Sequence, residues 1–266
     1  MSLPSILQQI HARTTDTLAT RKRLLPLPDL RAQIADKEFS PRPFLKSLTE
    51  TDEIAIIAEI KPASPSTGQI IETVDITAFA QNYESGGARA ISVLTDPDFF
   101  GGELNNLALA RQASTLPLLR KDFLFDPWQL YETKLAVADA LLLIVSLLEK
   151  PQLQELLALA RELALDVLVE CHTPQEMELA LQANAPLLGV NTRNLHDFSK
   201  DLSLLEQARK VVPEETPWVA ESGLHTHTDL TWAAQCGASA ALIGTALMQS
   251  PDPRAKLLAL RGVQDV

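Results

Sequence analysis

Apolar residues gather in short runs along this chain, and each run is followed by a longer segment in which apolar positions return at helical spacing. The runs predict strands at Ile54 to Ile60, Arg89 to Leu94, Leu116 to Arg120, Ala140 to Val145, Asp166 to Glu170, Leu187 to Asn191, Trp218 to Glu221 and Ala240 to Ile243. Their starts lie about 21 to 35 residues apart, the repeat length of one strand–helix unit. The runs lack polar alternation, so both faces of the sheet are expected to be covered, as in a parallel sheet flanked by helices. Small residues mark the returns from helix to strand at Gly86-Gly87-Ala88, Asn184-Ala185 and Cys236-Gly237-Ala238, which read as helix C-caps.

Eight such units, with no glycine-rich nucleotide loop after the first strand, favour closure into a (β/α)8 TIM barrel over an open doubly wound sheet. The segment ahead of the first strand differs. Ile6 to Arg23 has helical spacing and a basic end at Arg21-Lys22-Arg23, and a proline-punctuated stretch from Pro26 to Pro43 follows. Residues 1–50 are expected to form an N-terminal helical extension packed across one mouth of a barrel made by residues 51–266, all in one structural domain.

In a closed barrel, chemistry collects where strands end, so charged residues terminating apolar strands need an explanation. Glu59 and Lys61 share one side of the first strand because side chains alternate. The other side must pack on helices, so both are expected in the barrel mouth. Lys121 ends the third strand, Glu170 the fifth, Asn191 the sixth with Arg193 just beyond, and Glu221 the seventh. Any one of these alone reads as a solvated loop residue; together they converge on one mouth. A lysine near other cations, or partly desolvated, is expected to be a better proton donor near neutral pH, and a glutamate beside it can act as base. A second group reads as anion binding: Ser64 in the hydroxyl-bearing loop Pro62 to Gly68, Ser222-Gly223 after the seventh strand and Gly244-Thr245 after the eighth.

Composition narrows the partners. The chain has 266 residues, 46% of them apolar, and a formal net charge of -11, so it can bury a large core and would repel a nucleic-acid backbone. The N-terminus has no apolar export signal, and the longest apolar run, Ala140 to Leu148, is about half the ~20 residues needed to span a bilayer. Cys171 and Cys236, the only two cysteines, are too few for a disulfide framework, which fits a reducing, cytoplasmic setting. His172 reads as a polar loop residue. His225 and His227 lie beside Thr226 and Thr228, either of which can cap the next helix ahead of Asp229, and their spacing resembles no zinc motif, so no metal is assigned. No interface signal stands out, and a monomer is expected.

The run Glu59-Ile60-Lys61-Pro62-Ala63-Ser64-Pro65-Ser66 resembles the signature of the indole-3-glycerol phosphate synthase family. Ser92 to Asp96 with Phe99-Phe100-Gly101-Gly102, Leu119 to Phe123, Val169 to His172, Gly189 to Leu195, Glu221-Ser222-Gly223 and Leu242 to Thr245 are similar to that family's motifs, in order. The resemblance implies ring closure of 1-(2-carboxyphenylamino)-1-deoxyribulose 5-phosphate to indole-3-glycerol phosphate, carbon dioxide and water, with no metal or organic cofactor. It implies Lys121 as general acid, Glu170 as the partner carboxylate, Lys61 on the substrate carboxylate and Glu59 holding the lysines. Asn191, Arg193 and Glu221 would orient sugar hydroxyls and lysines. Ser64, Ser222, Gly223, Gly244 and Thr245 would cradle the phosphate, and Phe100, Phe123, Leu195 and Ile243 would wall the aromatic ring. Thr245 departs from the serine frequent there but keeps the hydroxyl. An isomerase of a phosphoribosyl compound, or a barrel that only binds a phosphorylated ligand, are the competing readings.

Overall fold

A computed structural model describes residues 5–194 and 197–263. Eight parallel strands close on themselves: β1 (Ala55–Ile60), β2 (Ala90–Leu94), β3 (Leu118–Lys121), β4 (Ala140–Ile144), β5 (Asp166–Cys171), β6 (Leu188–Asn191), β7 (Trp218–Glu221) and β8 (Ala240–Ile243). Each strand pairs with the next, and β8 returns to β1 with Ile57 opposite Leu242. The structure is thus a (β/α)8 barrel, as the sequence pattern predicts.

Alternation along each strand divides the apolar residues into two layers. Ile56, Ala58, Ile91, Leu141, Val167 and Ala241 face outward into the shell beneath the helices. Ala55, Ile57, Ala90, Leu119, Ala140, Leu142, Leu168, Val219, Ala240 and Leu242 fill the barrel interior. Burial on both faces is why the runs show no polar alternation. The helix-to-strand returns need a left-handed residue, which Gly87 (φ 85°) and Gly237 (φ 99°) supply without a Cβ penalty and Asn184 (φ 59°) supplies at modest cost.

Ahead of the barrel lie α1 (Ser5–Leu24), α2 (Leu27–Ala35) and α3 (Phe44–Thr49). The sequence predicts only a proline-punctuated stretch where α2 stands. Pro28 falls in the first turn of α2, where a missing N–H breaks no helical bond, so proline starts the helix there. The segment also meets both mouths of the barrel. At the end where strands finish, Arg13 of α1 pairs with Asp98 after β2 at 2.8 Å, and Lys22 pairs with Asp126 after β3 at 2.5 Å. At the end where strands start, the Leu45 and Arg42 amides donate to Asp166 (2.9 Å) and Asp139 (2.7 Å). Phe44 and Leu48 join the interior cluster there beside the alanines at 55, 90, 140 and 240. Small side chains in that lowest layer leave room for a phenylalanine ring to close the barrel floor.

Because Phe44 is fully buried and far from the strand ends, Phe44→Ala should lower unfolding stability by about 3–5 kcal/mol, the cost of emptying an aromatic core site. Urea unfolding checks this; a cost below about 1 kcal/mol would show that the ring does not plug the floor.

Candidate active site

The inward rows of the strands continue past the apolar interior into charge. After Ala55 and Ile57, the next inward position of β1 is Glu59, and Lys61 follows; Leu119 is followed by Lys121, Leu168 by Glu170 and Val219 by Glu221. These side chains open into one cavity whose wall includes Asn191, Arg193, Ser64, Ser222, Gly223, Gly244, Thr245, Phe100, Phe123 and Ile243. Of the residues singled out from the sequence, only Leu195 is not placed there; it lies outside the described residues. Ile243 packs in the outer shell and meets the cavity at the end of β8, whereas the apolar floor comes from inward Leu142, Ile144 and Leu242.

Two ion-pair groups line this cavity. Lys61 Nζ lies 2.6 Å from Glu59 Oε1. Lys121 Nζ donates to Glu170 Oε2 at 3.1 Å and stands 3.5 Å from Glu221 Oε2. Glu59, Glu170 and Glu221 are all but completely buried, so each carboxylate would be costly without its cation. Glycines make room for them. A Cβ on Gly244 would collide with Glu59 Oε1, and one on Gly189 with Glu221 Oε1. Gly244 therefore has a packing duty besides the anion-binding one that the sequence suggests.

Charge states follow from this crowding. Burial opposes the Lys121 ammonium, but Glu170, Glu221 and Glu59 outweigh it and hold the ammonium more firmly than in water. This corrects the expectation that desolvation would make this lysine readier to lose its proton: three carboxylates surround it where other cations were anticipated. Burial also disfavours the Glu170 carboxylate, yet Lys121 and the His172 imidazole hold it below the ordinary range. Burial, with Glu170 next in effect, pushes Glu221 up to about 8 despite Lys121. The two shifts run in opposite directions, Glu170 toward its ionised form and Glu221 toward its protonated one.

Directly after Glu221 the backbone takes an anion-friendly shape. Ser222 (φ 65°) and Gly223 (φ 81°) are consecutive left-handed residues, and Thr192 Oγ1 donates to the Ser222 carbonyl at 3.1 Å. Ser64 lies in a small antiparallel hairpin, Ala63–Ser64 with Gly68–Gln69, where the sequence suggested only a loop. Its hydroxyl is 3.3 Å from that of Ser66 and accepts from the Thr67 amide. Arg193 donates its amide to Asn191 Oδ1 at 3.1 Å and bridges to Lys200.

Several residues here escaped the sequence reading. Lys200 and His225, with Nζ and Nε2 3.3 Å apart, and Phe198 reach the wall from loops. No strand-end rule marks such positions. Ile6, Leu7 and Ile10 of α1 also line it, and they look like any amphipathic helix face until the fold places them. His172 does lie in the turn between β5 and the next helix, as the sequence suggests, but its side chain is turned inward, with Nε2 3.2 Å from Glu170 Oε1. Its signal was parity, because it lies two residues beyond Glu170 on the same row. His227 bonds the Leu260 carbonyl, and Thr226 caps its helix with Asp229 reciprocating.

The family model for indole-3-glycerol phosphate synthase matches residues 7–260. This chain belongs to that family. The indole-3-glycerol phosphate synthase of Desulfotalea psychrophila is 47% identical over 93% of this chain and 95% of its own length. That of Dehalococcoides mccartyi is 43% identical over 95% and 98%. Among solved structures, a 3-hexulose-6-phosphate synthase from Salmonella typhimurium superposes with a TM-score of 0.63 at 16% identity, covering 79% of this chain and 97% of that one. The N-acetylmannosamine-6-phosphate 2-epimerase of Clostridium perfringens gives 0.61 at 16%, covering 79% and 93%. At such identity these two speak for the barrel alone.

Glu221 gains its proton on folding, since an unfolded glutamate titrates near ~4.3 and the folded one near about 8. Its contribution to stability is complete below the unfolded value and is lost as pH rises through the folded one. Glu221→Gln stays neutral throughout, so its melting temperature should exceed that of the unmodified chain by more at pH 8 than at pH 5. Thermal unfolding at the two pH values reads this, and an equal gap at both would refute the protonated Glu221.

Proposed function

We propose that the chain closes the indole ring of 1-(2-carboxyphenylamino)-1-deoxyribulose 5-phosphate, releasing indole-3-glycerol phosphate, carbon dioxide and water. The observation that carries this reading is Lys121 held at 3.1 Å from Glu170 and 3.5 Å from Glu221, with the Lys61–Glu59 pair in the same cavity. Family membership over nearly the whole chain points the same way.

The chemistry follows the residue set. Ring closure forms a carbon–carbon bond from the aromatic carbon to the ribulose carbonyl, whose π electrons move to oxygen. Lys121 gives that oxygen a proton. A developing alkoxide is basic enough to take it even from an ammonium steadied by carboxylates. The ring carboxylate, paired with Lys61, then leaves as carbon dioxide and returns its bonding electrons to the ring. In the last step the hydroxyl leaves as water with a proton from a lysine, while ionised Glu170 removes the proton whose loss completes the indole. Glu221, neutral, can donate one hydrogen bond and does not compete as a base. Phe100 and Phe123, with ring centroids 5.8 Å apart, hold the aryl ring in near-attack geometry. The Ser222-Gly223 turn, Ser64, Gly244, Thr245 and Arg193 take the phosphate, and Asn191 the sugar hydroxyls.

Every group in this scheme comes from one chain, so the monomer is read as catalytically complete and the extension as part of the same structural domain. Cys171 and Cys236 are free and buried, which suits a cytoplasmic working place.

Purified protein given the carboxyphenylamino-deoxyribulose phosphate should produce indole fluorescence, and none would end the synthase reading. Lys121→Ala should lose at least ~10²-fold in kcat, the lower end for removal of a general acid. Near-normal turnover would remove Lys121 from that role.

A further inference from the structure

The scheme above needs one of two buried carboxylates to be ionised and the other neutral, although both lean on the same ammonium. Lys121 alone offers little reason for the proton to choose Glu221. The asymmetry comes from behind the site. Glu170 gives Oε2 to Lys121 and turns Oε1 toward His172 Nε2 at 3.2 Å. The other ring nitrogen, Nδ1, lies 3.5 Å from Glu176 Oε2.

Glu176 is placed by local structure. It sits in the first turn of the helix Pro174–Gln182, its amide donates to the capping Thr173 hydroxyl at 3.2 Å, and its Oε2 accepts the His172 amide at 2.6 Å. The imidazole is thus held between a site carboxylate and an anchored outer one, with its side chain 9% exposed. The charged groups facing this cluster are Glu170 on β5, Glu176 on the helix, Lys121 on β3, Glu221 on β7 and, through Lys121, Glu59 on β1. The neighbouring Cys171 thiol stays protonated because burial pushes it up.

Resting on the synthase reading above, we propose that His172 is a positioning residue: an imidazolium clamped between Glu170 and Glu176 that orients the Glu170 carboxylate and makes it, not Glu221, the ionised member of the pair. The physical logic is a count of partners. Glu170 has a cation on each oxygen; Glu221 has only a share of Lys121 at a longer distance, so the proton settles there. Burial works against the imidazolium, but the Glu170 and Glu176 carboxylates, 3.2 and 3.5 Å from its two nitrogens, raise its pKa to about 9, so it persists through neutral pH. Glu176 does not touch the cavity, and its part is to make a charged His172 affordable.

Three variants test this: His172→Gln, which loses the charge but keeps an amide that can donate to Glu170; His172→Leu, which loses both; and Glu176→Gln. The acid limb of kcat should move up by about one pH unit in His172→Gln, with KM within about twofold and neutral-pH kcat about tenfold down, and His172→Leu should fall about 10²-fold. Imidazole NMR of the unmodified chain should find His172 charged at neutral pH, and Glu176→Gln should lower its midpoint by about one unit. The proposal is overturned if the His172→Gln profile superimposes on that of the unmodified chain, if the loss appears in KM, or if His172 titrates near its ordinary ~6.5. Should the leucine variant not fold, the other two and the NMR titration still decide. Inactivity of the unmodified chain would strike the synthase reading alone, because the titration of His172 is read without substrate.

Discussion

A lysine ammonium withdrawn from water survives only where carboxyl groups replace its hydration, and Lys121 between ionised Glu170 and protonated Glu221 is the place where this fold meets that demand. Three buried carboxylates and two lysines gather inside the barrel mouth, and they constrain one another. Moving Glu59 would free Lys61, and an added Cβ at Gly244 would move Glu59. The apolar interior beneath them keeps water out from below. The mouth is therefore a polar cluster with an apolar floor, and its geometry is set before any substrate arrives.

Outside the barrel wall a second buried cluster performs a different task. Arg120 is the outward neighbour of Lys121, and it donates to Asp122 and Glu132, both at 2.8 Å, and to Thr133 at 3.0 Å. Glu132 also accepts from Arg21 of α1. One residue of β3 thus serves the site and the next ties that strand to the helical shell and the N-terminal segment. Alternation along a strand gives adjacent residues opposite environments, so two like-charged side chains in sequence have unrelated duties.

The N-terminal segment links the two ends of the barrel. Phe44 and Leu48 close the floor while Ile6, Leu7 and Ile10 line the cavity at the opposite end. The distance between them is spanned by α2, which packs alongside the helix Pro127–Leu135 through contacts that include the Arg31–Tyr131 bond at 2.7 Å. Stability and site shape therefore share one continuous stretch of chain.

Sequence alone determined the eight strands, favoured their closure and set the inward side of the first, because local periodicity records which faces are buried. It also named the strand-end charges, since a charged residue closing an apolar run has few places to go in a barrel. It misread α2, where proline begins a helix instead of interrupting one, and it placed His172 in a loop without showing that its side chain turns inward to Glu170. Only tertiary structure decided that Lys121 is steadied by three carboxylates, that Gly244 stands aside for Glu59, and that loop residues Phe198 and Lys200 reach the cavity. The reason is physical. Periodicity is a property of neighbours along the chain, whereas the charge state of a buried group depends on whatever the closed barrel brings within a few ångströms of it, from strands remote in sequence.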